Sequence, residues 1–267
     1  MIIVRILGGL GNQMFQYAYA KALETRGFKV QLDLSGFKNY KLHGGYQLDK
    51  YNINLRNAKD STIFFSKINP FRTVKEKNLL FNNALISLNG NEYIKGYFQT
   101  EKYFSEIRNT LLEEYSFLGI LSNTTKKYKK NILQAEKSCS IHIRRGDYIS
   151  NIKSNNVHGT CSIEYYNSAI QLIKKKYKEV AFFIFSDDIS WAKKNILLKN
   201  GNYIDHQCLP HEDLYLMSLC THNIIANSSF SWWGAWLNKN DTKTVIAPKQ
   251  WFVKKENEIT CENWVKL

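Results

Sequence analysis

Apolar residues run from Ile2 to Leu7 with one interruption, Arg5, and then stop at Gly8-Gly9-Leu10-Gly11-Asn12. A run of that length bounded by glycines predicts a buried strand and a turn. Helical spacing of apolar positions follows from about Gln13 to Arg26, and Gly27 is placed to end that helix in a left-handed cap. Phe28 to Leu34 then predicts a second strand, which completes a βαβ unit. Residues 36–135 are broken by Asn and Gly, and their pattern supports one helix, near Tyr103 to Tyr115.

The second half is better patterned. Strands are predicted at Cys139–Ile143, Val180–Phe185, Asn223–Ala226 and Val245–Ala247. Helices are predicted near Ile163–Tyr177, with Ser162 as N-cap, and near Ile189–Leu197, Glu212–Cys220 and Phe230–Leu237. Strands alternating with helices imply parallel sheet covered on both faces. The economical architecture is α/β, with two Rossmann-like halves facing a cleft and a boundary at 135/136. The expected domains are thus residues 1–135 and 136–267.

Ligands of open parallel sheets bind beyond the carboxyl ends of the strands. Three polar clusters fall at such ends: His142-Ile143-Arg144-Arg145-Gly146-Asp147-Tyr148, Ser186-Asp187-Asp188, and Asn227-Ser228-Ser229-Phe230-Ser231. Paired arginines offer forked donors that match phosphate oxygens. Serines opening a helix add hydroxyl and N–H donors where the helix dipole favours an anion. A neighbouring carboxylate can accept from a guanine edge or a ribose hydroxyl. Taken singly these are ordinary features: a surface ion pair, a helix cap, two carboxylates too few for a metal site. Their convergence on one sheet edge describes a nucleoside diphosphate site. In Phe230-Ser231-Trp232-Trp233-Gly234-Ala235-Trp236-Leu237, helical spacing puts Trp232 and Trp236 on one face, which predicts core packing rather than sugar stacking.

Charge changes this picture little. The net charge of +14 is mostly lysine, in runs such as 126–130 and 174–178 that suit solvated helix faces and C-terminal turns. The excess would still attract phosphorylated or lipid-linked substrates. Five scattered cysteines without a CxxC pair favour reduced thiols over disulfides or zinc. The opening apolar run is too short for a membrane span or a signal segment. A cytoplasmic location is expected, with peripheral association at the inner membrane face left open. Two rival classes remain. Gly9-Leu10-Gly11, with Asp33 ending the next strand, partly imitates the fingerprint of an NAD-dependent oxidoreductase, but Met14 occupies the third glycine position. A basic nucleic-acid-binding protein would leave the sheet-edge cluster unexplained.

Together these stretches resemble the bacterial α-1,2-fucosyltransferases of glycosyltransferase family 11. The likeness lies in Gly8 to Ala18, Gly96 to Phe104, His142 to Tyr148, Phe185 to Asp188 and Asn227 to Leu237, and so spans nearly the whole chain. The His-x-Arg-Arg pattern is shared more widely, with fucosyltransferases making 1,6 and protein O-linkages. The resemblance implies a GT-B-like fold with the acceptor on the N-terminal half and GDP-fucose on the C-terminal half. It also implies an inverting transfer to the 2-hydroxyl of a galactose-terminated oligosaccharide or lipid-linked glycan, with no metal, no cofactor and no nucleic-acid partner. Arg144 would bind the leaving phosphate, supported by Arg145; His142 and Asp187 or Asp188 would contact the nucleoside. Ser228, Ser229 and Ser231 would complete the phosphate cradle, Asn227, Phe230 and Gly11 would also bind GDP-fucose, and Asn12 would reach in from the facing half, near the fucose or the bridging oxygen. Asp147 and His158 are candidate bases by chemistry, and the departing phosphate is a third.

Overall fold

A computed structural model of the chain describes residues 1–40, 44–146, 152–199, 201–204 and 209–267. The chain divides into two compact units, Met1–Gly119 with Glu256–Cys261, and Ile120–Lys255 with Glu262–Leu267. This division falls ahead of the boundary expected at 135/136. Helix Asn123–Gln134 belongs to the second unit, where Ile132 is buried with Phe183, Phe185 and Leu216. Five lysine-run residues hide its thin apolar stripe, so the pattern alone did not reveal it.

In the first unit four parallel strands, β1 (Ile2–Arg5), β2 (Val30–Asp33), β3 (Thr73–Lys75) and β4 (Tyr93–Lys95), lie in the order β2-β1-β4-β3. Strands β3 and β4 are too short to carry an alternation of their own. Helix α1 spans Leu10–Thr25 and so begins earlier than predicted. Gly9 is its N-cap, and the amides of Asn12 and Gln13 both donate to the Gly9 carbonyl, at 2.9 and 3.0 Å. Gly11 and Asn12 therefore sit in the first helical turn, not in a preceding loop. The far end is as predicted. Gly27 has φ +93°, its amide donates to Glu24 O at 2.9 Å, and that of Phe28 donates to Leu23 O at 3.2 Å. That pair of bonds closes the helix in a Schellman motif.

Helix α1 is buried almost all round, so its polar residues need partners. Tyr17 donates to Glu114 at 2.5 Å, and Lys21 pairs with Glu114 at 2.9 Å and with Glu24 at 2.7 Å. Glu114 ends helix α3 (Arg108–Glu114), which is shorter than the helix expected over 103–115 because two 3₁₀ turns, Glu101–Tyr103 and Ser105–Ile107, precede it. Helix α2 (Asp60–Ile68) was not predicted; it buries only Ile63.

The second unit holds α4 (Asn123–Gln134) and a parallel sheet of β5 (Lys137–Ile143), β6 (Val180–Ser186), β7 (Asn202–Tyr203), β8 (His222–Ile224), β9 (Val245–Ala247) and β10 (Val265–Lys266). Its order is β10-β9-β8-β5-β6-β7, the doubly wound arrangement in which the order of strand addition reverses between two central strands. Helices α5 (Ile152–His158), α6 (Ile163–Lys176), α7 (Ile189–Asn195), α8 (Pro210–Leu219) and α9 (Ser229–Trp236) complete the unit. Alternate residues of β6 feed two cores. Phe182 and Ile184 pack with Tyr166, Ile170 and Ala192, whereas Phe183 and Phe185 pack with Ile132, Leu216 and Met217. Ser162 caps α6 as expected, accepting from the Tyr165 amide at 3.2 Å.

One face of β5 is polar. Ser140 accepts from Asn223 Nδ2 at 2.8 Å, and Asn223 Oδ1 accepts from Asn238 at 2.8 Å. Next to Asn223, His222 Nδ1 accepts from the Thr244 amide at 3.1 Å and the ring stacks on Tyr177 with centroids 4.0 Å apart. Burial, reinforced by Lys176 and Lys137, pushes the pKa of His222 down to about 4. The folded chain thus keeps His222 neutral, while the unfolded chain protonates it near its ordinary value of about 6.5. Its contribution to stability is complete above that pH and is lost as pH falls towards 4. Urea unfolding at pH 7, 5.5 and 4.5 should show this decline. His222→Asn, whose amide oxygen can take the place of Nδ1, should flatten part of it. Equal slopes for the two proteins would remove His222 as a cause.

Candidate active site

Strand register brings the three polar clusters together in the second unit. Ile143 lies opposite Ser186 and Ile141 opposite Ile224, so β5 and β6 release their following loops at one level and β8 ends two residues before them. Strands β5 and β8 are also the pair at which the winding reverses. A parallel sheet opens a crevice there because successive crossovers leave to opposite sides.

Asp187 organises this edge. Its carboxylate accepts from the Arg145 amide at 2.8 Å and the Gly146 amide at 3.0 Å, and it pairs with Arg144 Nη1 at 3.1 Å. A Cβ at position 146 would stand 3.0 Å from Asp187 Oδ2, so glycine lets the carboxylate approach the loop backbone. Asp188 does different work. It caps α7 by accepting from the Trp191 amide at 3.0 Å, and it lies 3.9 Å from Arg145 Nε. The Arg145 guanidinium rests over the Trp191 ring, 4.0 Å from its centroid. Both carboxylates, read from the sequence as nucleoside contacts, are therefore engaged in holding the arginine loop. Arg145 is a clamp on Trp191, and Arg144 is the arginine held directly by Asp187.

His142 ends β5 on its polar face, buried, with its ring 5.6 Å from that of Phe230. Burial pushes its pKa down to about 4; Asp187 opposes the shift and Arg144 reinforces it. His142 is thus neutral at physiological pH, and among the described residues its Nδ1 has no hydrogen-bond partner. An unpaired buried nitrogen at a sheet edge is a candidate ligand contact.

The third cluster splits in two. Ser228 is the N-cap of α9 yet its hydroxyl makes no capping bond, and Ser229 and Phe230 are half-buried in the first turn. These three residues lie along the edge. Asn227 instead fastens loops, donating to the carbonyls of His158 at 2.7 Å and of Gly159 and Trp251 at 3.3 Å. Ser231 is fully buried and donates back to the carbonyls of Ala226 and Ser228. Neither presents its side chain at the edge: Asn227 ties down the carbonyls of other loops, and Ser231 turns back onto the backbone that opens α9. Trp232, Trp233 and Trp236 are core residues, with Trp232 and Trp236 stacked at 5.9 Å. His158 lies against Phe252 with centroids 5.2 Å apart. Asp147 and Tyr148 fall outside the described residues, as does Cys208.

In the first unit Gly11 and Asn12 sit at the switch point of their own sheet, between β1 and β4. Asn12 Oδ1 accepts from Gln99 at 2.8 Å. Gln99 is aimed by Phe98, which adopts φ +51° while Glu76 accepts the Tyr97 and Phe98 amides. Gln13 spans Gly8 O, Gly45 O and the Gln47 amide, and Gln16 joins the Leu7 amide to Gly96 O. The motif glutamines are fasteners of the turn. Asp33 is fully buried and accepts from Tyr93 at 2.5 Å, Ser35 N at 2.8 Å and Lys67 at 2.9 Å. Burial alone would raise its pKa, but these donors hold it below the usual carboxylate range. A carboxylate so enclosed cannot take a ribose, and Met14 is fully buried where the fingerprint needs glycine. The dinucleotide reading fails on both counts. Trp191, Gln99 and Glu76 were not singled out from sequence, since each acts on a residue distant in the chain.

The chain matches Glycosyl transferase family 11 over residues 1–267. It is 40% identical to an alpha-1,2-colitosyltransferase of Escherichia coli, covering 100% of this chain and 99% of that protein. The O-antigen biosynthesis glycosyltransferase WbnK of Escherichia coli is 31% identical, with 97% and 98% covered. The crystal structure of the fucosyltransferase NodZ from Bradyrhizobium superposes with a TM-score of 0.56 at 12% identity, covering 87% of this chain and 91% of that one. Fold and site define an α/β, GT-B-like glycosyltransferase of two Rossmann-like units. The chain belongs to Glycosyl transferase family 11, and its activity is glycosyl transfer of the fucosyltransferase type. No helix among the described residues is long and apolar enough to cross a membrane.

Removing the carboxylate should release the arginine loop. In Asp187→Ala the Arg145 and Gly146 amides should exchange hydrogen about tenfold faster or more, the loss expected for a charge-assisted bond. Unchanged exchange at both amides would mean that the loop is held by something else.

Proposed function

We propose that this chain transfers L-fucose from GDP-fucose to the 2-hydroxyl of a terminal β-galactoside in a surface glycan, with inversion and without a divalent metal. The observation that carries this reading is Arg144, held by Asp187 on the edge where α9 presents an N-terminus that its own Ser228 does not cap. Preorganised donors of this kind stabilise charge that develops on a leaving group, and they need no reorganisation at the moment of reaction. In the proposed step the anomeric carbon–oxygen bond to the β-phosphate breaks as the acceptor 2-oxygen bonds to the opposite face of that carbon. Negative charge passes to GDP, where Arg144, Ser228, Ser229 and the first amides of α9 receive it. The proton of the acceptor hydroxyl passes to a base, for which Asp147 is the proposed carboxylate. His142, neutral and with an Nδ1 that has no partner among the described residues, is assigned to the nucleotide as a hydrogen-bonding group.

A second donor is favoured by the 40% identity to a colitosyltransferase. Colitose lacks the 3-hydroxyl of fucose, so GDP-colitose would present the same diphosphate and differ only at the sugar.

The direct test follows GDP release in EDTA from GDP-fucose and from GDP-colitose, with and without lactose as acceptor. Release that depends on lactose and on GDP-fucose supports the proposal. Acceptor-dependent release from GDP-colitose alone transfers it to the second donor. Failure of GDP to bind at all would overturn the nucleotide site. Arg144→Ala should lower turnover by roughly 10²–10³, the usual loss when one preorganised anion donor is removed. Near-normal turnover in that variant would sink the role given to Arg144.

A further inference from the structure

Helix α2 and the turn that follows it carry an apolar face with no partner among the described residues. Phe64, Phe65 and Ile68 are 62%, 69% and 59% exposed, and Phe71 is 97% exposed. Helical geometry explains the first three. Residues 64, 65 and 68 fall within one third of the helix circumference, opposite Ile63 and Lys67, which tie the helix to its own unit. Ile63 is buried, and Lys67 pairs with Asp33 at 2.9 Å and lies 5.2 Å from the Tyr93 ring centroid. The helix is therefore fixed in orientation, with its phenylalanines turned outwards. The Phe64 and Phe65 rings touch edge to face at 5.8 Å, so the patch is continuous.

Its surroundings are cationic. Residues 56–77 include Arg56, Lys59, Lys67, Arg72, Lys75 and Lys77 against two acids, Asp60 and Glu76. Both acids are neutralised or occupied: Asp60 pairs with Lys38 at 2.7 Å, and Glu76 accepts the Tyr97 and Phe98 amides. Contiguous exposed apolar side chains rimmed by polar ones mark a contact surface. Aromatic residues on one face with lysine and arginine beside them are the composition of a helix that lies in a lipid headgroup region. An anionic leaflet also complements the overall charge of +14.

We infer that α2 and Phe71 dock the protein on an anionic phospholipid surface, the phenyl rings entering the headgroup boundary and Lys59, Arg72 and Lys75 meeting lipid phosphates. This anchor is separate from the lysine runs of α4 and α6, and it does not rest on the donor or acceptor proposed above. Docking would hold the enzyme where lipid-linked glycans are presented.

The test is co-sedimentation of the full chain with vesicles of phosphatidylglycerol and phosphatidylethanolamine, and with vesicles of phosphatidylcholine alone. The wild type should bind the first and not the second. The double variants Phe65→Ser/Phe71→Ser and Arg72→Gln/Lys75→Gln should each weaken binding at least about tenfold, as expected when apolar or cationic contacts are withdrawn from an interface. Since these side chains are exposed, the urea midpoint should stay as in the wild type. Three results would overturn the inference. They are no binding of the wild type to anionic vesicles; binding of the serine variant equal to that of the wild type, which would leave only diffuse charge; and a dimer of the lipid-free wild type that the serine substitutions dissolve, which would make the face a contact between copies.

Discussion

Parallel pairing ends β5 and β6 at one level, with the end of β8 two residues before them, and the candidate site exists because of that register. Ile143 opposite Ser186 places the Asp187 carboxylate beside the amides of residues 145 and 146. Side chains alternate along a strand, so a slip of one residue would exchange its two faces. His142 and Ser140 would then enter the core that now holds Cys139, Ile141 and Ile143. The cost of burying those polar groups without partners enforces the register, and through it the position of Arg144.

Within the site, adjacent residues of one chemical type have separate tasks. Arg144 is held by Asp187, whereas Arg145 lies flat on Trp191 and near Asp188. A guanidinium can pair through its fork or stack through its plane, and the two arginines use one mode each. The consequence is a loop braced from both sides, with the basic group that faces the edge already oriented. Anion stabilisation gains from that bracing, because a donor fixed in advance need not be reoriented when charge appears.

The first unit follows the same logic with neutral groups. Gln13 and Gln16 close the turn after β1 through backbone partners, so Asn12 is delivered to the β1–β4 switch point and held there by Gln99. Asp33 and Lys67 are spent on each other and on Tyr93, which anchors α2 and turns its phenylalanines outwards. An internal ion pair is thus coupled to the exposure of an apolar face.

Much of the second unit was legible from sequence. Its longer strands show apolar runs, and Ser162 there, like Gly27 in the first unit, carries a capping signal that acts within a few residues of itself. Short strands such as β3, β4, β7 and β10 were not legible, since none carries a run of apolar residues, whereas β9, equally short, was legible because Val245-Ile246-Ala247 is apolar throughout. Helix α4 was hidden beneath its lysines, and this moved the boundary between the units. Residue types at the sheet edge were readable because local pattern places a loop after each strand. Their division of labour was not. That Asp187 serves the arginine loop, that Asn227 faces inwards, and that Asp33 is sealed by Tyr93 all depend on partners dozens of residues away. The sequence by itself determined the longer elements and the chemistry available, which follow from local periodicity and residue type, and its motifs carried the resemblance to the family. Only the tertiary structure decided which side chains are consumed by the fold and which remain at the edge, because hydrogen-bond partners are chosen by proximity in space.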